Sequence, residues 1–224
     1  TDLHGFLGIL QLGIWLVMPL SYAVVIFFFN AYNLIDGIDG LAASLGAFFM
    51  MAFGILFYQL KDWALLSVSL SMVGMFVAFL RYNLSENKKI FMGDTGSLFV
   101  GFLISTFVII LMGSNYPTKL KHIAPANFGV VLIAILFIPV LDSIRVFVAR
   151  VMEGRSPFEP DRNHIHHLIM DYYKLNHRQT TICILLLSIC MPLLIWGFSV
   201  ILTHFWLVML LLAKSLLFSF WFWF

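Results

Sequence analysis

Seven apolar runs of membrane-spanning length dominate this chain. Residues 9–29, 40–58, 64–80, 98–112, 128–148, 182–201 and 205–224 are each predominantly apolar, and about 20 such residues cross the hydrocarbon core of a bilayer as a helix. Lipid offers no partners to backbone amides and carbonyls, so open sheets are excluded and long continuous runs must be helical. The expected fold is therefore all-α, a polytopic membrane protein with about seven transmembrane helices in one domain over residues 1–224. A composition of 62% hydrophobic and 11% charged residues excludes an ordinary soluble domain.

The few charges are unevenly placed. Segments 30–40, 81–97 and 149–181, with the adjoining span ends, carry Arg81, Lys88, Lys89, Arg145, Arg150, Arg155, Arg162, Lys174 and Arg178. The opposite connections carry Lys61, Lys119 and Lys121. By the positive-inside rule the first set faces the cytoplasm. Of the acids only Asp2 and Asp62 fall on the outer side, an asymmetry that orientation does not require and that points to function. The basic residues sit in a few loops rather than along one exposed helix face, so no nucleic-acid partner is expected. Cys183 and Cys190 lie seven apart in one helical run, too far to bridge. His4, His122 and His204 are isolated and read as interfacial.

Three polar stretches on the cytoplasmic side carry the chemistry. The first, Asn30-Ala-Tyr-Asn33-Leu-Ile-Asp36-Gly37-Ile-Asp39-Gly40-Leu41, follows directly on an apolar run. If it is helical, Asn33, Asp36 and Asp39 share a face, and oxygen ligands on one face suit a hard cation such as Mg²⁺. Alternatively Asp39 is the N-cap of the next span. The second, Phe91-Met-Gly93-Asp94-Thr-Gly96-Ser97, opens a span: Thr95 or Ser97 can cap it, its free amides favour an anion, and Asp94 adds an oxygen ligand at the depth of Asp36. The third runs from Glu153 through Arg155 and Arg162 to His164-Ile-His166-His167. Arginine forks match phosphate oxygens. With no cysteine and no HExxH pattern beside them, the histidines read as phosphate donors or proton carriers rather than zinc ligands. Metal-binding carboxylates, anion-binding helix starts and Arg/His donors on one membrane face are the parts that phosphoryl transfer requires.

The strings NAYNLIDGIDGLAA at 30–43, FMGDTGS at 91–97 and SPFEPDRNHIHHLIM at 156–170 resemble the signature loops of the polyprenyl-phosphate N-acetylhexosamine-1-phosphate transferases, in order, spacing and membrane placement. The HIHH form is similar to the branch that transfers N-acetylglucosamine 1-phosphate to undecaprenyl phosphate. The resemblance implies a bacterial inner-membrane enzyme whose active site faces the cytoplasm. A polyprenyl phosphate attacks the β-phosphorus of a UDP-N-acetylhexosamine and UMP leaves, the first membrane step of an envelope polysaccharide such as lipopolysaccharide. It implies Mg²⁺, with Mn²⁺ as the alternative, on Asp94, Asn33 and Asp36. Asp36, Asp39, Asp94 and His166 would be catalytic, and Asn33, Gly93, Arg155, Arg162, His164 and His167 would bind substrate. The partners are the UDP-sugar and undecaprenyl phosphate in the bilayer, and a homodimer is allowed. Family members also carry an Asp-Asp pair on an earlier loop. None occurs here, so the chain is expected to be the C-terminal two-thirds of a longer fold.

An ion-coupled transporter is the competing class, since membrane acids also line transport pathways. Carriers place such groups near the bilayer midplane, whereas here they cluster at span ends. An inactive membrane remnant is the third reading.

Overall fold

The computed structural model describes residues 12–113, 116–120, 123–156, 163–199 and 209. All its regular elements are helical: α1 (Ile14–Ile35), α2 (Leu41–Gln59), α3 (Trp63–Asn83), α4 (Gly93–Gly113), α5 (Phe128–Ile135), α6 (Phe137–Met152), α7 (Ile165–Tyr173) and α8 (His177–Ser199), with short 3₁₀ turns at Pro117–Lys119 and Pro125–Asn127. The seventh expected span, Arg162 and the isolated histidines at 4, 122 and 204 lie outside the described residues.

Five of these helices are long and apolar enough to cross a membrane, and a bent pair makes a sixth if counted as one span. The count of seven is thus not reached among the described residues. The run at 128–148, expected as one span, is bent by 75° between Pro125–Ile135 and Phe137–Met152. Pro139 accounts for the break. It has no N–H to donate to Ile135 four residues back, and its ring crowds that carbonyl. The polar stretch at 30–40 is also not one helix. α1 continues through Asn33 but stops at Ile35, Asp36 is its C-cap, and Gly40 rather than Asp39 is the N-cap of α2 at a left-handed φ of 78°. Asp36 and Asp39 consequently do not share a helix face.

α2 is the buried centre. Leu45, Phe49, Met50, Phe53 and Phe57 are fully inaccessible, and Phe53 and Phe57 meet Phe107 of α4 edge to face at centroid distances of 5.4 and 4.9 Å. Between helices in lipid no hydrophobic gain is available, so such contacts act through close packing and dispersion. Small residues decide how close. A Cβ on Gly101 would lie 2.5 Å from the Phe28 carbonyl oxygen and 3.0 Å from Phe29 Cα, so α1 and α4 meet backbone to backbone there. Gly46 likewise admits Phe76 and the Tyr32 hydroxyl, whereas Gly13, Gly74 and Gly197 have nothing within 4 Å and carry no such contact. The approach at Gly101 sets the ends of α1 and α4 side by side, which positions the polar groups described next.

Candidate active site

At the end of α1, Asn33 reaches across to the first turn of α4. Its Nδ2 donates to Asp94 Oδ1 at 3.1 Å and to Ser97 Oγ at 2.8 Å. Ser97 and Thr95 are not caps, because α4 already begins at Gly93. Ser97 Oγ instead donates back to the Gly93 and Asp94 carbonyls. Gly93 adopts φ 66°, a left-handed conformation that a side chain would strain, and its backbone hydrogen-bonds the Asp36 carboxylate. Burial and the charge of Asp94 together push Asp36 up to about 6, against that hydrogen bond. Neither carboxylate has an ion-pair partner among the described residues. Two acids and an amide are thus held together with their mutual repulsion uncompensated.

Could these groups hold a metal? No three His, Cys, Asp or Glu side chains are placed to hold a metal ion by themselves among the described residues. Mg²⁺, however, commonly takes one or two carboxylates and completes its shell with water and substrate phosphates. The hard oxygens of Asp36 and Asp94, with the Asn33 amide held against Asp94, fit that demand, and a cation would offset the burial and the repulsion that raise Asp36.

The histidines arrive from α7. A Cβ on Gly37 would collide with His166 Nε2, so only glycine lets the imidazole lie against the turn that follows Asp36. Burial, followed by the nearby His167 ring, lowers His166 to about 4, and it is neutral at pH 7. Its Nε2 is buried with no hydrogen-bond partner among the described residues, as is that of His164, whose ring lies parallel to it at 5.9 Å. His167 packs 4.2 Å from His166. Such orphaned buried nitrogens are rare in folded proteins.

Two site candidates sit apart. Asp39 pairs with Lys89 Nζ at 2.7 Å and with His177 Nδ1 at 3.3 Å, and its backbone oxygen accepts from Thr181. Burial tends to raise Asp39, but the bonds from Lys89 and His177 outweigh it and hold the carboxyl below its usual range. It borders a cavity of ≈ 600 Å³ lined also by Asn83, Lys89, His177 and Arg178. Arg155 pairs with Glu153 at 3.1 Å on an exposed turn.

Sequence reasoning missed Asp142 and Arg145. Both lie on α6, and Asp142, only 5% exposed, binds His164 and the start of α7. A lone acid inside an apolar run was the available signal. His177 was missed as well, because its partner Asp39 is 138 residues away.

Residues 1–112 match the sequence model of glycosyl transferase family 4. The chain is similar to a protein of Bacillus subtilis (strain 168) named "probable undecaprenyl-phosphate N-acetylglucosaminyl 1-phosphate transferase", 35% identical over 174 residues that make up 78% of this chain and 46% of that protein. It is 37% identical over 159 residues to the undecaprenyl-phosphate alpha-N-acetylglucosaminyl 1-phosphate transferase of Yersinia pestis, covering 68% of this chain and 41% of that one. It is also 33% identical over 179 residues to the decaprenyl-phosphate N-acetylglucosaminephosphotransferase of Mycobacterium leprae (strain TN), covering 75% and 44%. The matched part is thus under half the length of each of these relatives.

Proposed function

The chain belongs to glycosyl transferase family 4, and from that premise we propose that the protein transfers N-acetylglucosamine 1-phosphate from UDP-N-acetylglucosamine to undecaprenyl phosphate. A lipid phosphate oxygen forms a bond to the β-phosphorus, the bond from that phosphorus to the bridging oxygen breaks, and UMP departs with the bridging oxygen. The reading is carried by Asp36 and Asp94, two carboxylates near enough to repel each other and without an ion-pair partner among the described residues.

The residues divide the work. Asn33 holds Asp94 in place through its amide N–H, and the Gly93 backbone holds Asp36. His166, neutral and set against Gly37, supplies a ring nitrogen to the diphosphate side of the site. His167 and Arg162 extend the phosphate-binding set, while His164 bears on the sugar side of the donor. When bound at Asp94, Asp36 and Asn33, Mg²⁺ or Mn²⁺ would neutralise charge on the reacting phosphoryl group. The loops that bear these residues face the cytoplasm of a bacterial inner membrane on the Lys/Arg balance.

The test is UMP release in membranes containing the protein as encoded, with a series of UDP-sugars and with or without added polyprenyl phosphate. UMP formed from UDP-N-acetylglucosamine only when the lipid phosphate is present is the expected result. Release that ignores the lipid, or none from any UDP-sugar, defeats the reading.

A further inference from the structure

His164 occupies the N-cap position of α7, yet its side chain caps nothing. The cap comes from Asp142, 23 residues upstream of the amide it serves: Asp142 Oδ1 accepts from the Ile165 N–H at 2.9 Å. A Ser, Thr, Asn or Asp at position 164 would cap the helix locally, whereas burying a carboxylate on α6 costs several kcal/mol unless every lone pair is used. The more expensive arrangement is the one present, so the second oxygen is informative. Asp142 Oδ2 lies 2.9 Å from His164 Nδ1.

An ionised carboxylate can only accept, so this contact places the His164 proton on Nδ1. The ring has no need to be cationic. Arg145 already balances Asp142, with Nη2 3.1 Å from Oδ1, and the same guanidinium donates to the Asn163 carbonyl. A neutral ring protonated on Nδ1 has a bare lone pair on Nε2, and that atom is buried without a partner among the described residues. Its neighbour, the parallel ring of His166, lies against Gly37 at the active-site turn.

We propose that Asp142 is the positioning residue of the histidine cluster: it fixes His164 as the Nδ1–H tautomer, so that Nε2 accepts a hydrogen bond from a hydroxyl or amide N–H of the sugar donor. With its other oxygen it holds the start of α7, and so keeps His166 at Gly37. Only the substrate contact rests on the function proposed above. The tautomer is a property of the protein alone.

Asp142→Asn separates positioning from capping. Asn caps a helix as well as Asp does, and with its oxygen kept on Ile165 and Arg145 its amide NH₂ faces His164 Nδ1, which drives the proton to Nε2. The expected result is a loss of kcat/KM for UDP-sugar of at least about 100-fold, in line with the cost of a reversed tautomer in an Asp–His pair, with folded yield retained. Activity within threefold of the parent overturns the proposal and leaves Asp142 as a cap. In ¹⁵N-histidine-labelled protein, with the His164 signals assigned by their loss in His164→Gln, Nδ1 should be the protonated nitrogen in the parent and Nε2 in Asp142→Asn. A protonated Nε2 in the parent overturns the proposal even if the variant does not fold. Adding Asp142→Asn to His164→Gln should cost nothing further, and additive losses would overturn action through His164. Failure of the parent to release UMP would defeat the function reading while leaving the ring measurement intact.

Discussion

The two ends of the helical bundle handle a scarce resource differently. At the end bearing residues 59–63 and 116–120, Asp62 caps α3 through the Leu65 N–H at 3.1 Å and takes a hydrogen bond from the Tyr116 hydroxyl. That bond, the cap and the charge of Lys119 hold its carboxyl below the usual range. At the opposite end, Asp36 is pushed up by burial and by the charge of Asp94, and the buried His166 Nε2 beside Gly37 has no hydrogen-bond partner among the described residues. A carboxylate that is capped and hydrogen-bonded stabilises a fold, and one pushed up by burial beside a second acid is a candidate for chemistry. The difference separates a structural end from a functional one more sharply than charge count does, since both ends contain acids.

The largest effect should be all or none. In a Cys183→Ala/Cys190→Ala background, Asn176→Cys should react with a membrane-impermeant thiol reagent only once the cytoplasmic face is opened, and Thr118→Cys in intact cells. Reaction of both in intact cells would erase the distinction between the ends. Next in size, Asp94→Asn should lower UMP release by about 10³-fold, as loss of a metal contact does in phosphoryl transfer. Asp62→Asn should stay within twofold, because Asn caps equally well. Unchanged turnover and unchanged Mg²⁺ dependence in Asp94→Asn would remove that residue from the site.

A smaller effect tests the scaffold between the ends. Gly101→Leu must push α1 from α4 at the Phe28 carbonyl, and overpacking of this kind costs about 1–3 kcal/mol. Thermal unfolding in detergent should show it, with a loss of activity as Asn33 leaves Asp94, while Gly74→Ala, with open space around it, should change neither. A Gly101→Leu variant with parental stability would mean that the backbone contact does not set the spacing.

The smallest effect is one of sign. The folded state raises Asp36 to about 6, so it binds that proton more tightly than the unfolded chain does. The group therefore opposes folding above about pH 6, and the opposition disappears as pH falls to about 4. Asp36→Asn should stabilise metal-free protein at pH 7 by about 1 kcal/mol, after allowance for solvent screening of a half-buried group, with no gain at pH 4. Asp62 has the reverse sign. Its stabilisation is complete above about pH 4 and is lost as pH falls through its depressed value, so Asp62→Ala should cost most at neutral pH. Equal pH profiles for the two variants would contradict the contrast.

How much of this was legible beforehand follows from distance along the chain. The helical class and most spans follow from local hydropathy, and Asn33 and Asp94 could be matched because both sit at span ends on one face. Asp39 could not be separated from Asp36 by pattern, since what separates them is a helix end at Ile35 and partners at Lys89 and His177. Asp142 was visible only as an acid in an apolar run, because its meaning depends on His164 and Ile165 folding back onto it. The break before α6 was masked by unbroken hydrophobicity over 128–141, where Pro139 was the cue.

That break also has mechanical meaning. Across the corner the Leu136 N–H still donates to the Leu132 carbonyl, the Leu136 carbonyl accepts from Val140, and Leu136 is 1% exposed. A corner that retains hydrogen bonds and is clasped on all sides resists opening, so it works as a bracket rather than a pivot. α6 leaves this corner braced against α1 and α8, and α5 packs against α8 as well. A displacement of α7 passed on through Asp142 therefore meets a braced helix and is shared among α1, α5 and α8 instead of being absorbed at the bend.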